Sequence, residues 1–94
     1  MTILRDRSSP TAADPHALAL AVLGWVLGDD DRAHRLLALT GLDAADLRAG
    51  LGDPAVLGSV LEFLSNHEPD LVACADALGV EPQAIVAAKQ ELSA

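Results

Sequence analysis

The chain is cut into short segments by its own punctuation. Four times an acidic residue stands directly before a proline: Asp14-Pro15, Asp53-Pro54, Glu68-Pro69 and Glu81-Pro82. An aspartate can accept the unpaired N–H groups of a first helical turn, and proline's fixed φ suits the first helical position. Glycines close the intervening apolar stretches at Gly28, Gly41, Gly50 and Gly79. The signals predict six short helices. The first runs from Pro15 to about Leu27 and the second from the Asp29-Asp30-Asp31 cap to Thr40. A short third, capped by Asp43, lies around Leu47, and a fourth runs from Pro54 to Asn66. The fifth opens at Glu68-Pro69 and the sixth at Glu81-Pro82.

Composition agrees with helix. Ala (18) and Leu (17) dominate the 94 residues, while Trp25 and Phe63 are the only aromatics and there is no Tyr. An aliphatic, β-branch-poor chain of this length makes one modest helical core and argues against a β-sandwich or barrel. Met1 to Ala13, with its Ser8-Ser9-Pro10 breaker, reads as a flexible tail, and residues 14–93 as a single helical domain. In the fourth helix Val56, Leu57, Val60, Leu61, Phe63 and Leu64 fall within about 160° of arc, with Gly58, Ser59, Glu62 and Ser65 opposite. The expected architecture is all-α: a compact bundle of five or six short helices, with the first and fourth supplying most of the core.

The final joint has a sharper pattern. Ala75, Gly79 and Ile85 have the spacing of a helix-turn-helix, in which a small residue permits close approach, a glycine turns and an aliphatic packs between the helices. The segment Leu71–Ile85 also repeats Ala33–Leu47 at an offset of 38, each unit being a helix, a glycine turn, an acidic residue and a second helix. Such a corner would read DNA by displaying Pro82, Gln83, Ala84, Ala87 and Gln90 to the groove. Yet the chain carries a formal charge of −8, and Lys89 is the one cation of the last helix. Phosphate binding needs several Lys or Arg contacts, so nucleic acid is a poor partner. Tight corner geometry explains the motif without DNA.

The chemistry-bearing residues are dispersed. His16, His34 and His67 have no zinc-ligand spacing, and Asp29-Asp30-Asp31 lacks the glycine and closing glutamate of an EF-hand. Ser59 and Ser65 have no strained turn to activate them, and Gly50-Leu51-Gly52-Asp53 lacks the Lys-Ser/Thr ending of a phosphate loop. The single Cys74 permits no internal disulfide, suits a reducing compartment and reads as a small core residue. The uncharged stretch Pro15–Gly28 is shorter than the roughly 20 residues of a spanning helix. These features predict no enzyme activity, cofactor or metal, no membrane, and a cytoplasmic location.

Surface remains. The first helix is apolar nearly all round, and such a helix is either central or shared with a partner. Leu20, Leu23 and Leu27, with Trp25, form the candidate interaction surface, for a protein partner or a homodimer. The competing reading, and the favoured one for Trp25 itself, makes it a core residue of a central helix. Gly41 is a candidate left-handed C-cap, Gly79 a candidate turn, Asp53 a cap, and Arg48 a candidate ion-pair partner for Asp43, Asp46 or Asp53. The alternative functions are a DNA-binding regulator using residues 71–92, and a binder of small apolar ligands in a pocket left by the alanines, Gly24 and Gly58.

Three segments together are more specific than any of these motifs: Leu36-Leu37-Ala38-Leu39-Thr40-Gly41-Leu42, Asp46-Leu47-Arg48, and Asp53-Pro54 through Leu64. With Glu68, Gly79 and Pro82 they resemble the small bacterial, mainly alphaproteobacterial family called domain of unknown function 3572, over roughly residues 16–92. Gly24-Trp25 and Cys74 depart from its pattern, which has bulkier aliphatics or aromatics there. The resemblance implies a stand-alone cytoplasmic helical protein. It supplies no activity, cofactor or catalytic residue.

Overall fold

Four of the described helices start on an aspartate side chain. In a computed structural model describing residues 14–93, helix α1 (Pro15–Leu27) opens with Asp14 Oδ1 accepting the His16 N–H at 3.0 Å. Helix α2 (Asp30–Thr40) opens on Asp29, whose carboxylate accepts the Arg32 N–H at 3.3 Å. Helix α3 (Ala44–Ala49) has a reciprocal box: Asp46 N–H donates to Asp43 at 2.8 Å, and Asp43 N–H donates to Asp46 at 3.1 Å. Asp53 accepts the Ala55 N–H at 2.9 Å to open α4 (Pro54–Ser65). Each such cap satisfies a donor that the helix itself cannot, and its loss costs about 1 kcal/mol. Helix α5 (Glu68–Leu78) opens at His67 with no side-chain cap, and α6 (Pro82–Ser93) completes the chain. The residues 1–13 read as a tail lie outside the described residues.

Two glycines turn the chain where no other residue would do so without strain. Gly41 ends α2 at φ 76°, and Gly79 ends α5 at φ 71°. Thr40 supports the first turn, its hydroxyl donating to the Leu36 carbonyl at 2.6 Å and accepting the Leu42 N–H at 3.3 Å. At the second, the Val80 N–H reaches back to the Ala75 carbonyl at 2.9 Å. The two joints thus share a left-handed glycine, as their repeated sequence suggests. They diverge afterwards, because α3 is a six-residue helix and α6 a twelve-residue one.

The core lies between α1, α4 and α6, which pack against one another. Helices α1 and α4 supply five buried apolar residues each: Leu18, Ala19, Val22, Leu23 and Val26 from the first, and Leu57, Val60, Leu61, Phe63 and Leu64 from the second. Helix α6 contributes Ile85 and Ala88, and fits closely against both neighbours because alanines recur along it. Leu36, Leu47, Leu71, Cys74 and Ala75 close the remaining sides. The expected polar face of α4 needs one correction: Gly58 is buried, since an added Cβ there would lie 3.9–4.0 Å from Ser93 and Leu92 of α6.

Helices α5 and α6 meet at 102°, within the range of helix-turn-helix corners. Ala75 and Ile85 are both buried inside the angle. The described residues therefore form an all-α bundle of six short helices with a helix-turn-helix-like final corner. No single helix among the described residues is long and apolar enough to cross a membrane.

Candidate interaction surface

Helix α1 has one side in the core and an apolar stripe on the other. Leu20 and Leu27, seven residues apart and so on one face, are 37% and 45% exposed. Gly24 lies between them, exposed, with nothing within 4 Å of the position a Cβ would take. The stripe is uncharged along its length, because Pro15–Gly28 holds no ionisable residue but His16.

Two members of the expected surface do not belong to it. Leu23 is only 4% exposed and joins the core. A helix that is apolar all round has no polar residue to mark where burial stops, and the covered arc is wider than its spacing suggests. Trp25 is half-buried and already engaged. The Arg32 guanidinium lies 3.6 Å from its ring centroid, and Arg32 Nη2 donates to the Trp25 carbonyl at 3.0 Å. Asp29 holds the same arginine through a 3.8 Å ion pair and the capping bond to its N–H. Trp25, Asp29 and Arg32 thus clasp the end of α1 to the start of α2.

Arg48 is exposed and takes part in no ion pair among the described residues, contrary to its expected role. Its three candidate partners bind backbone N–H groups instead: Asp43 and Asp46 cap each other's turn, and Asp53 caps α4. Arg48 sits in the last turn of α3, where its charge faces the carbonyl end of the helix. The ion pair that does tie helices together is Arg35 to Asp70, at 2.7 Å, linking α2 to α5. His67 Nε2 approaches the same carboxylate oxygen at 3.7 Å.

Cys74 is fully buried beneath this edge of the molecule. Burial pushes its thiol up to about 11; the charge of Arg32 pulls the other way, and Asp70 adds to the rise. It is a protonated packing residue at neutral pH. Of the glycines expected to leave an aliphatic pocket, Gly24 faces outward, and Gly58 lines an open hollow of about 460 Å³ between α4 and α6 whose walls are largely polar, with Asp53, Ser59, Glu62 and Ser93 beside Leu92.

A second surface feature has no counterpart in the sequence reading. Leu39, at 75% exposure, stands beside a groove of about 520 Å³ between the ends of α2 and α4. Thr40, Ser59, Glu62, Phe63 and Asn66 complete its lining. The run Leu36-Leu37-Ala38-Leu39 is the signal that could have revealed it, since four successive apolar residues on a helix cannot all face one core.

Neither a search of curated proteins nor a search of solved structures returns a match. One family model does match, over residues 12–94, and is described as a protein of unknown function (DUF3572). The match takes in all six helices and the turns that join them, and the chain belongs to that family.

Proposed function

We propose that the protein is a small non-enzymatic interaction module that associates through the outer stripe of α1, with a second copy of itself as the partner. The observation that carries this reading is the uncharged stripe Leu20–Gly24–Leu27. A solvated helix normally places charged residues opposite its buried face, whereas α1 places leucine, glycine and leucine there.

Charge favours a second copy. A two-fold contact sets a surface patch against itself, so any carboxylate near the axis meets its own image. Other exposed apolar residues have acidic neighbours: Leu39 shares its groove with Glu62, and Val72 is one helical turn from Asp76; Leu27 too lies two residues from Asp29, but that carboxylate is held by Arg32, and Leu20 and Gly24 have no acidic residue within four positions. The α1 stripe is the neutral choice in a chain of charge −8. Gly24 at its centre would let two helices approach closely.

Sedimentation equilibrium over a wide concentration range tests this. Wild type should gain apparent mass with concentration, and Leu20→Asp combined with Leu27→Asp should remain a monomer of unchanged helicity. A wild-type monomer at all concentrations would remove the self-association. Leu23→Glu is unsuited to the purpose, because it would bury a charge in the core and test folding instead.

The 102° corner favours a second reading, DNA binding through α6. Gln83, Ala87 and Gln90 are exposed on that helix. Lys89 is the sole cation of α5 and α6, while Asp76 and Glu81 border the turn, so the corner has little to hold phosphate. Retention on DNA at low salt would revive this reading, and its absence would end it.

A further inference from the structure

The groove beside Leu39 lies where two helices end. Leu39 and Thr40 belong to the last turn of α2, and Glu62, Phe63 and the capping residue Asn66 to the last turn of α4. The carbonyl end of a helix carries a partial negative charge that a Lys or Arg in the last turn commonly offsets. Neither of these last turns contains a basic residue. The nearest arginine of α2 is turned elsewhere, for Arg35 binds Asp70 at 2.7 Å.

Apart from the Asn66 side-chain amide, the polar atoms in the groove are left as acceptors. The Ser59 hydroxyl donates to the Ala55 carbonyl at 3.1 Å, so its lone pairs are what remains for a ligand. The Thr40 hydroxyl proton is committed to the Leu36 carbonyl. Glu62 is exposed and makes no ion pair among the described residues. Beside these acceptors stands the nearly free Leu39 side chain, while the Phe63 ring, buried in the core, shows only an edge at the floor of the groove.

We infer that this groove is a docking site for a segment of another protein that presents an arginine or lysine next to an apolar side chain. The cation would meet Glu62 and the two helix carbonyl ends, and the apolar neighbour would cover Leu39 and Phe63. The site is separate from the α1 stripe, so the two surfaces can be occupied independently. A chain of charge −8 also attracts a basic segment over longer range, which speeds encounter at low ionic strength.

The probes are two fluorescein-labelled helical peptides, one with leucine and arginine four residues apart and its twin with glutamate in place of arginine. Fluorescence anisotropy with the full chain should show at least tenfold tighter binding of the arginine peptide, weakening in 0.5 M salt. Glu62→Gln should weaken that binding several-fold, and Leu39→Ser should abolish it; circular dichroism confirms that both remain helical. Leu20→Asp with Leu27→Asp should leave it unchanged, which separates this site from the proposed self-association. Equal binding of the twins, wild-type binding by both groove variants, loss of binding in the α1 variant, or no saturable binding up to 1 mM would each overturn the proposal.

Discussion

The Arg32 guanidinium lies over the Trp25 ring at 3.6 Å and also donates to the Trp25 carbonyl at 3.0 Å. One side chain therefore grips both the ring and the backbone at the end of α1. Stacked cations of this kind contribute about 0.5–2 kcal/mol, depending on desolvation, and this arginine is largely covered. Arg32→Met keeps much of the stem but loses charge and donors. It should lower unfolding free energy by about 1–3 kcal/mol in urea titrations and change the Trp25 emission spectrum of the folded state. A double-mutant cycle with Trp25→Leu should show coupling between the two positions.

Two glycines should respond oppositely to alanine. A Cβ at Gly50 would fall 2.6–2.9 Å from three carbons of the β-branched Val56 side chain, which cannot swing clear as a long chain could. Gly50→Ala should destabilise by about 1–3 kcal/mol. Gly24 is mid-helix with open space around it, so Gly24→Ala should stabilise the monomer by about 0.5–1 kcal/mol. The same methyl should weaken self-association, because it holds two α1 helices apart. Thermal melts and sedimentation on one pair of samples separate the two effects.

Cys74 should be inert in the folded state. With its thiol raised to about 11, almost no thiolate exists at pH 8, and the side chain is inaccessible. Its reaction with Ellman's reagent should follow the rate of protein opening and accelerate sharply in denaturant. The folded thiol holds its proton more tightly than the ordinary value of 9.0. The unfolded chain therefore binds fewer protons above that pH, and this group's contribution to stability, complete below pH 9, should be lost as pH rises toward 11.

Asp70 receives Arg35 across a separation of 35 residues. Asp70→Asn should cost about 0.5–1 kcal/mol, since half-exposed ion pairs contribute little, and the cost should shrink in high salt. Urea titrations at low and high ionic strength measure both.

Local signals were readable in the sequence and relationships between distant segments were not. Asp14, Asp29, Asp43 and Asp53 act as caps because capping depends only on the next three residues. Gly41 and Gly79 adopt the left-handed turns that their position after an apolar run implies. The buried face of α4 was legible because Glu62 and Ser59 mark its other side. Helix α1 offered no such marker, so Leu23 could not be told from Leu20 and Leu27. Arg48 looked like an ion-pair partner because acidic residues flank it, yet those carboxylates bind backbone. Arg35–Asp70, Arg32 over Trp25 and the groove at Leu39 all depend on how helices are set against one another, which periodicity within a helix does not encode.

The most direct test of self-association through α1 is a dilution series followed by backbone amide NMR shifts. Dilution from millimolar to low micromolar concentration should move the amides of Leu20, Gly24 and Leu27 together along one binding curve, while those around Leu39 and Glu62 stay fixed. Shifts that do not change with concentration, or changes centred away from α1, would contradict it.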